Sequence, residues 1–233
     1  MLIDLVNSLR SGGAIDFTEI IIGLISALFV IFCTMPVHEF AHALIANKLG
    51  DPTAKYQGRL TLNPMRHIDY FGALIILLVG FGYAKPVPVN MYNLKKPKRD
   101  MAFVALAGPV ANIIMAFAAL IVQNVFILLL YFEILPYEIV SYIVLFFSYV
   151  AIINVSLAAF NLIPVPPLDG SRILFSVLPN RIYYTVMQYE RYISIALIIA
   201  VYIGLLDKPI NYLATNIYNG LAFVANLPLR LFL

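Results

Sequence analysis

Apolar residues in this chain come in long blocks, and the breaks between the blocks set the predicted elements. Residues 20–49 read as one long helix, uncharged from Ile20 to Val37, with Pro36 kinking or restarting it and Gly50-Asp51-Pro52 ending it. Residues 58–65 alternate apolar and polar positions, the period of a short strand. The run 68–83 is apolar but interrupted by Gly72, Gly80 and Gly82, and 85–92 is held extended by Pro86 and Pro88. Within that stretch Val87, Val89 and Met91 alternate with Pro86, Pro88 and Asn90, as on a strand with one free edge. Residues 101–132 and 139–163 read as two long helices joined by a short connection. The segment Pro164-Val165-Pro166-Pro167-Leu168-Asp169-Gly170 then breaks helicity inside an apolar run. Residues 182–206 form another apolar stretch, interrupted by Glu190 and Arg191. Residues 212–233 are apolar but dotted with Asn216, Asn219, Asn226 and Pro228, and either cross a bilayer or lie along its surface.

Composition turns these blocks into membrane elements. The chain is 62% hydrophobic and 12% charged, with a mean hydropathy of +0.92, whereas soluble domains carry about 25% charged residues. A length of 233 residues allows roughly five or six crossings at about 20 residues each. The expected fold is an all-α polytopic membrane protein, with short β-strands near the cytoplasmic side. It forms one domain over 1–233. Nine of the fifteen basic residues lie between Lys48 and Arg99, in one group at Lys48, Lys55, Arg59 and Arg66 and another at Lys85, Lys95, Lys96, Lys98 and Arg99. Beside membrane segments such clusters mark the cytoplasmic side rather than a nucleic-acid surface. Both groups on one side make 68–83 a re-entrant segment rather than a crossing. The start of the chain carries Asp4 and lacks the basic stretch of a cleavable signal, so it is expected to be retained. Cys33 is the only cysteine, which rules out an internal disulfide.

The candidate chemistry sits in the first long helix. His38-Glu39-Phe40-Ala41-His42 puts two of the chain's three histidines four residues apart, on one helix face, where both can grip one metal ion. Glu39 lies about 100° round the helix from His38, within reach of a water on that metal but off the ligand face. Ionisable groups at such depth are costly and read as functional. A catalytic zinc takes three protein ligands and a water, so one ligand is missing. Lys48 occupies the position of a metzincin third histidine, and no glutamate occurs between Glu39 and Glu133. Asp51, Asp69 and Asp100 fall in segments that read as basic, watery loops, and Glu133 and Glu138 at the opposite face. Asp169, in the proline-broken segment, is the best remaining candidate, with His67 as its rival. A membrane metal transporter or sensor, or a catalytically silent scaffold, could use the same ligands. A base beside the first histidine and a single ligand cluster favour catalysis over transit.

Taken together, His38-Glu39-Phe40-Ala41-His42 and the distant Asn161-Leu162-Ile163-Pro164-Val165-Pro166-Pro167-Leu168-Asp169-Gly170 resemble the two signature motifs of the site-2 protease family of intramembrane zinc metalloproteases. Gly58-Arg59-Leu60-Thr61-Leu62-Asn63-Pro64 and Ala107-Gly108-Pro109-Val110-Ala111-Asn112 are similar to stretches of its compact prokaryotic members, the type without a PDZ or CBS domain. The resemblance implies one zinc per chain on His38, His42 and Asp169, with Glu39 as catalytic base and Asn161 lining the site. It implies a multi-pass protein of a prokaryotic cell membrane that cuts a transmembrane protein or peptide substrate, with the active site nearer the cytoplasmic side. A homo-oligomer stays open, and the substrate's identity is beyond the sequence.

Overall fold

A computed structural model describes residues 17–69 and 85–229, and every regular element among them is a helix. The first apolar block forms α1 (Phe17–Phe29), a π-helical turn (Val30–Thr34) and α2 (Met35–Lys48). Pro36 stands in the first turn of α2, directly after the π turn. A proline ring crowds the carbonyl four residues back, here that of Phe32, and the wider π turn makes room for it. Short α3 (Thr53–Tyr56) follows, then α4 (Pro97–Tyr131) and α5 (Tyr137–Asn161), an antiparallel pair with the most extensive contact in the fold. After the proline-rich break come α6 (Asp169–Val177), α7 (Asn180–Gln188), α8 (Glu190–Tyr202) and α9 (Asp207–Ala225).

The core lies where α4 and α5 meet the π turn and the end of α9, around Val30, Ala116, Ala119, Leu120, Val150, Ala151, Val155 and Ala225. Alanine dominates because small side chains let helix backbones approach closely where lipid removes the hydrophobic drive to associate. Ser26 adds a cross-link by donating to the Phe146 carbonyl at 3.2 Å. Asn124 on α4 donates to the Ala225 carbonyl at 2.8 Å. Outward-facing Ile21, Ile25, Phe103, Ile114, Ile121 and Ile152 are exposed, as expected of a lipid-facing surface.

Two expectations change. Among the described residues three stretches are long and apolar enough to cross a membrane, Phe17–Lys48, Pro97–Tyr131 and Tyr137–Asn161, or four if α8 and α9, bent by 80°, count as one span. Five to six crossings are therefore not reached within them. The apolar C-terminal third is cut into helices of 9, 9 and 13 residues before α9, each too short for a hydrocarbon layer of about 30 Å. The expected β-strands are also absent among the described residues. The Arg59 amide turns back to the Ala54 carbonyl at 2.8 Å, and Asn63 caps a 3₁₀ turn (Pro64–Arg66). Alternation alone makes no strand where no second extended segment takes the ladder bonds. Residues 85–90 belong to no helix or strand: the Lys85 amide bonds the His67 carbonyl at 2.9 Å, and Asn90 is extended where the segment runs into a 3₁₀ turn at Met91–Asn93. The re-entrant segment expected at 68–83 and the N-terminal residues lie almost wholly outside the described residues.

Candidate metal centre

Helix α2 carries His38, Glu39 and His42 into the interior, each less than a tenth exposed. The His42 ring is set by α4, because its Nδ1–H donates to the Val104 carbonyl at 2.7 Å. A carbonyl can only accept, so Nδ1 holds the proton and Nε2 presents a bare lone pair. One turn further along α4, Gly108 lies flat against both histidines. A Cβ there would stand 2.3 Å from His42 Nε2 and 2.6 Å from His38 Nε2. The third residue comes from the other end of the chain. Asp169 opens α6, and Gly170 seats that opening on the backbone of Leu162 and Ile163, since a Cβ at 170 would lie 2.2 Å from the Leu162 oxygen.

The three side chains converge on one point. His38 Nε2 and His42 Nε2 are 3.0 Å apart, and Asp169 Oδ2 lies 3.5 Å from the first and 3.3 Å from the second. A tetrahedral centre with bonds of about 2.0–2.1 Å has ligand separations of roughly 3.3–3.4 Å, so this triangle matches one face of a zinc site. Asp169 Oδ2 is buried with no hydrogen-bond partner, although it faces two ring nitrogens. Two imidazole nitrogens, that of His42 left bare by its tautomer, and a carboxylate oxygen turned toward a common centre are a cation's donor set. His67 is elsewhere: it is fully buried with Nε2 at 2.7 Å from the Thr61 carbonyl, outside the ligand group.

Glu39 faces a different partner. Its Oε2 accepts the Val87 amide at 3.1 Å, which draws the extended segment 85–90 across the metal face of α2. That strap is tied at both ends. Arg59 Nη2 donates to the Lys85 and Pro86 carbonyls, while Asp51 Oδ2 accepts the Asn90 amide at 2.7 Å and its Oδ1 accepts Asn93 Nδ2 at 2.8 Å. Asp51, expected in a watery loop, is fully buried, and Asp100 is nearly so. Burial pushes the Asp51 carboxyl up, but hydrogen bonds from Thr53, Asn93 and Asn90 outweigh it and hold the group below the usual carboxylate range. Burial lowers the Arg59 guanidinium from its ordinary value, and the Glu39 charge opposes that shift.

A cavity of about 390 Å³ opens on the triad, lined by His38, Glu39, His42, Val87, Val89, Asn112, Asn161 and Asp169 among others. Asn161 is among the lining residues, with its Nδ2 donating to the Leu157 carbonyl of its own helix at 3.0 Å. In the sequence Gly108 and Asn112 stand out only as part of a family resemblance; their spacing of four, on one face of α4, is the signal that ties them to this site.

Likeness to known proteins spans every element that builds this triad. The sequence profile of Peptidase family M50 matches residues 26–142 and 137–205. The chain belongs to peptidase family M50. Among relatives, YwhC of Bacillus subtilis (strain 168), provisionally named a zinc metalloprotease, is 42% identical over 71% of this chain and 74% of its own length. A second provisionally named zinc metalloprotease, from Methanocaldococcus jannaschii, is 31% identical over 59% of this chain and 62% of its own. A zinc metalloprotease of the same organism is 29% identical over 68% of this chain and 36% of its own. No solved structure matches the chain. Membership in the M50 family agrees with the site-2 protease resemblance drawn from the two motifs.

Proposed function

We propose that this M50 member is an intramembrane zinc endopeptidase that cuts a transmembrane segment of a membrane-protein substrate. The observation that carries the reading is the buried triangle of His38 Nε2, His42 Nε2 and Asp169 Oδ2, with edges of 3.0, 3.3 and 3.5 Å, beside a buried glutamate. A zinc ion held by these three atoms would supply a Lewis acid and acidify a water to a pKa of about 7. Glu39 does the proton work. With Oε2 occupied by the Val87 amide, its Oε1 takes the proton of the attacking water and later returns it to the departing nitrogen. Val104 keeps His42 in the tautomer that leaves Nε2 free. Asn161, across the cavity, offers Oδ1 to the substrate.

The substrate must be extended to be cut, because a helical peptide bond is hydrogen-bonded and shielded. The strap supports that step, since its apolar Val87 and Val89 line the cavity. Among the described residues the Val89 N–H and C=O take no hydrogen bond, which leaves an edge to which an unwound peptide can add. The two basic groups, Lys48–Arg66 and Lys85–Arg99, support a cytoplasmic side for these loops by the positive-inside tendency. His38, ten residues from Lys48, then lies about 15 Å below that surface at 1.5 Å per residue. The deciding experiment is Glu39→Gln in purified protein. Zinc should stay near one per chain while cleavage of a single-span membrane substrate falls by about 10²–10⁴-fold. Near-normal turnover in that variant would refute the mechanism.

A further inference from the structure

Beyond the metal, α4 presents one more polar side chain to the cavity. Val104, Gly108 and Asn112 are spaced by four residues and so share a helix face. Val104 orients His42 and Gly108 packs on both histidines. Asn112 is the next step along the same stripe, about 6 Å further along the axis. It is 2% exposed, it lines the cavity, and its Oδ1 is buried with no hydrogen-bond partner. The other buried asparagines of this helix pair each make a hydrogen bond within the protein. Asn124 bonds Ala225 and Asn226, and Asn154, which does not line the cavity, donates to the Val150 carbonyl although its Oδ1 too has no partner. Among the described residues the Asn112 side chain makes no hydrogen bond at all. A position needed only for close helix packing would be filled more cheaply by alanine, as at Ala105, Ala111 and Ala116.

We propose that Asn112 is a binding residue for the main chain of the unwound substrate. A carboxamide carries one acceptor and two donor hydrogens, so it can pair with both the N–H and the C=O of one peptide group. It would therefore grip a peptide regardless of side chain. At about 3.3 Å per extended residue, the helix rise of about 6 Å from Gly108, which packs on the histidines, to Asn112 spans about two residues of an extended peptide. The proposed partner is therefore a peptide group about two residues from the bond that is cut. The inference rests on the endopeptidase reading, and the ligand class is an extended polypeptide.

Hydroxamates test this without relying on turnover. Zinc-loaded wild type and Asn112→Ala are titrated with acetohydroxamate, which offers the metal-binding group alone, and with a tripeptidyl hydroxamate, which adds a backbone. Zinc content should stay near one per chain in both. The tripeptidyl compound should bind about tenfold more weakly to the variant, with acetohydroxamate unchanged. N-methylation of the tripeptide's second peptide nitrogen should weaken binding to wild type and have little effect on Asn112→Ala, a coupling a purely structural role would not produce. Equal loss of both compounds, or loss of neither, overturns the proposal. If Asn112→Ala does not fold, Asn112→Ser takes its place, with the same expected and overturning results. Wild type that holds zinc yet binds neither compound would instead bring down the protease reading beneath it.

Discussion

Gly108 shows how little space the metal face leaves. Its missing Cβ would stand 2.3 Å from His42 Nε2, far inside contact distance, and the backbone of α4 cannot retreat without dragging the Val104 carbonyl off His42. Gly108→Ala should therefore lose most bound zinc, read by metal analysis of purified protein, while a change at Gly220, where nothing lies within 4 Å of the Cβ position, should leave zinc intact. Asp169→Ala should likewise lower occupancy sharply, because two imidazoles alone leave the site one ligand short. His67→Ala should keep zinc and cost stability, since it empties a fully buried space. Zinc retained in Asp169→Ala but lost in His67→Ala would reverse the assignment. The ligand candidates are legible in the sequence because so few acids and histidines exist to choose from. Asn112 is not legible in the same way, because a neutral amide gains its meaning only from the histidines that α4 brings beside it.

At the scale of elements, the strap is the part with the most consequence per hydrogen bond. Val87→Pro removes the one amide that holds Glu39 Oε2 and should lower turnover about tenfold with zinc unchanged. Asp51 holds the far end through Asn90 and Asn93. A carboxyl kept below its ordinary pKa stabilises the fold above its unfolded value, and that stability is lost as pH falls through the folded one. Detergent melting of wild type should thus exceed that of Asp51→Asn from pH 7 down to about 4, and the gap should close below that. A gap independent of pH would mean that Asp51 acts by shape alone. Helices are readable from apolar block length, but the strand expected at 58–65 does not form. Among the described residues its alternating pattern has no pairing strand, and the Arg59 amide and Asn63 side-chain bonds that shape its backbone are local. Asp51 reads as a solvated turn residue in the sequence because its partners lie 39 and 42 residues away.

Across the whole molecule, the proposed orientation rests on the basic groups and the positive-inside tendency, and it can be tested. Cysteines placed at Lys55 and Lys96 in a Cys33→Ser background, needed because Cys33 is exposed, should react with an impermeant reagent from the same side of sealed vesicles. Reaction from opposite sides would put a true crossing between them. The π turn at Val30–Thr34 sets the rotational phase of the front of the molecule. Removing a single residue there would tighten the turn to an ordinary helix and swing everything upstream by about 100°. Ser26 would then leave the Phe146 carbonyl, while His38, Glu39 and His42 downstream would keep their positions. One extra residue thus works as a register mark, so that insertions or deletions at this point re-aim the lipid-facing front of α1 while the metal face stays in step.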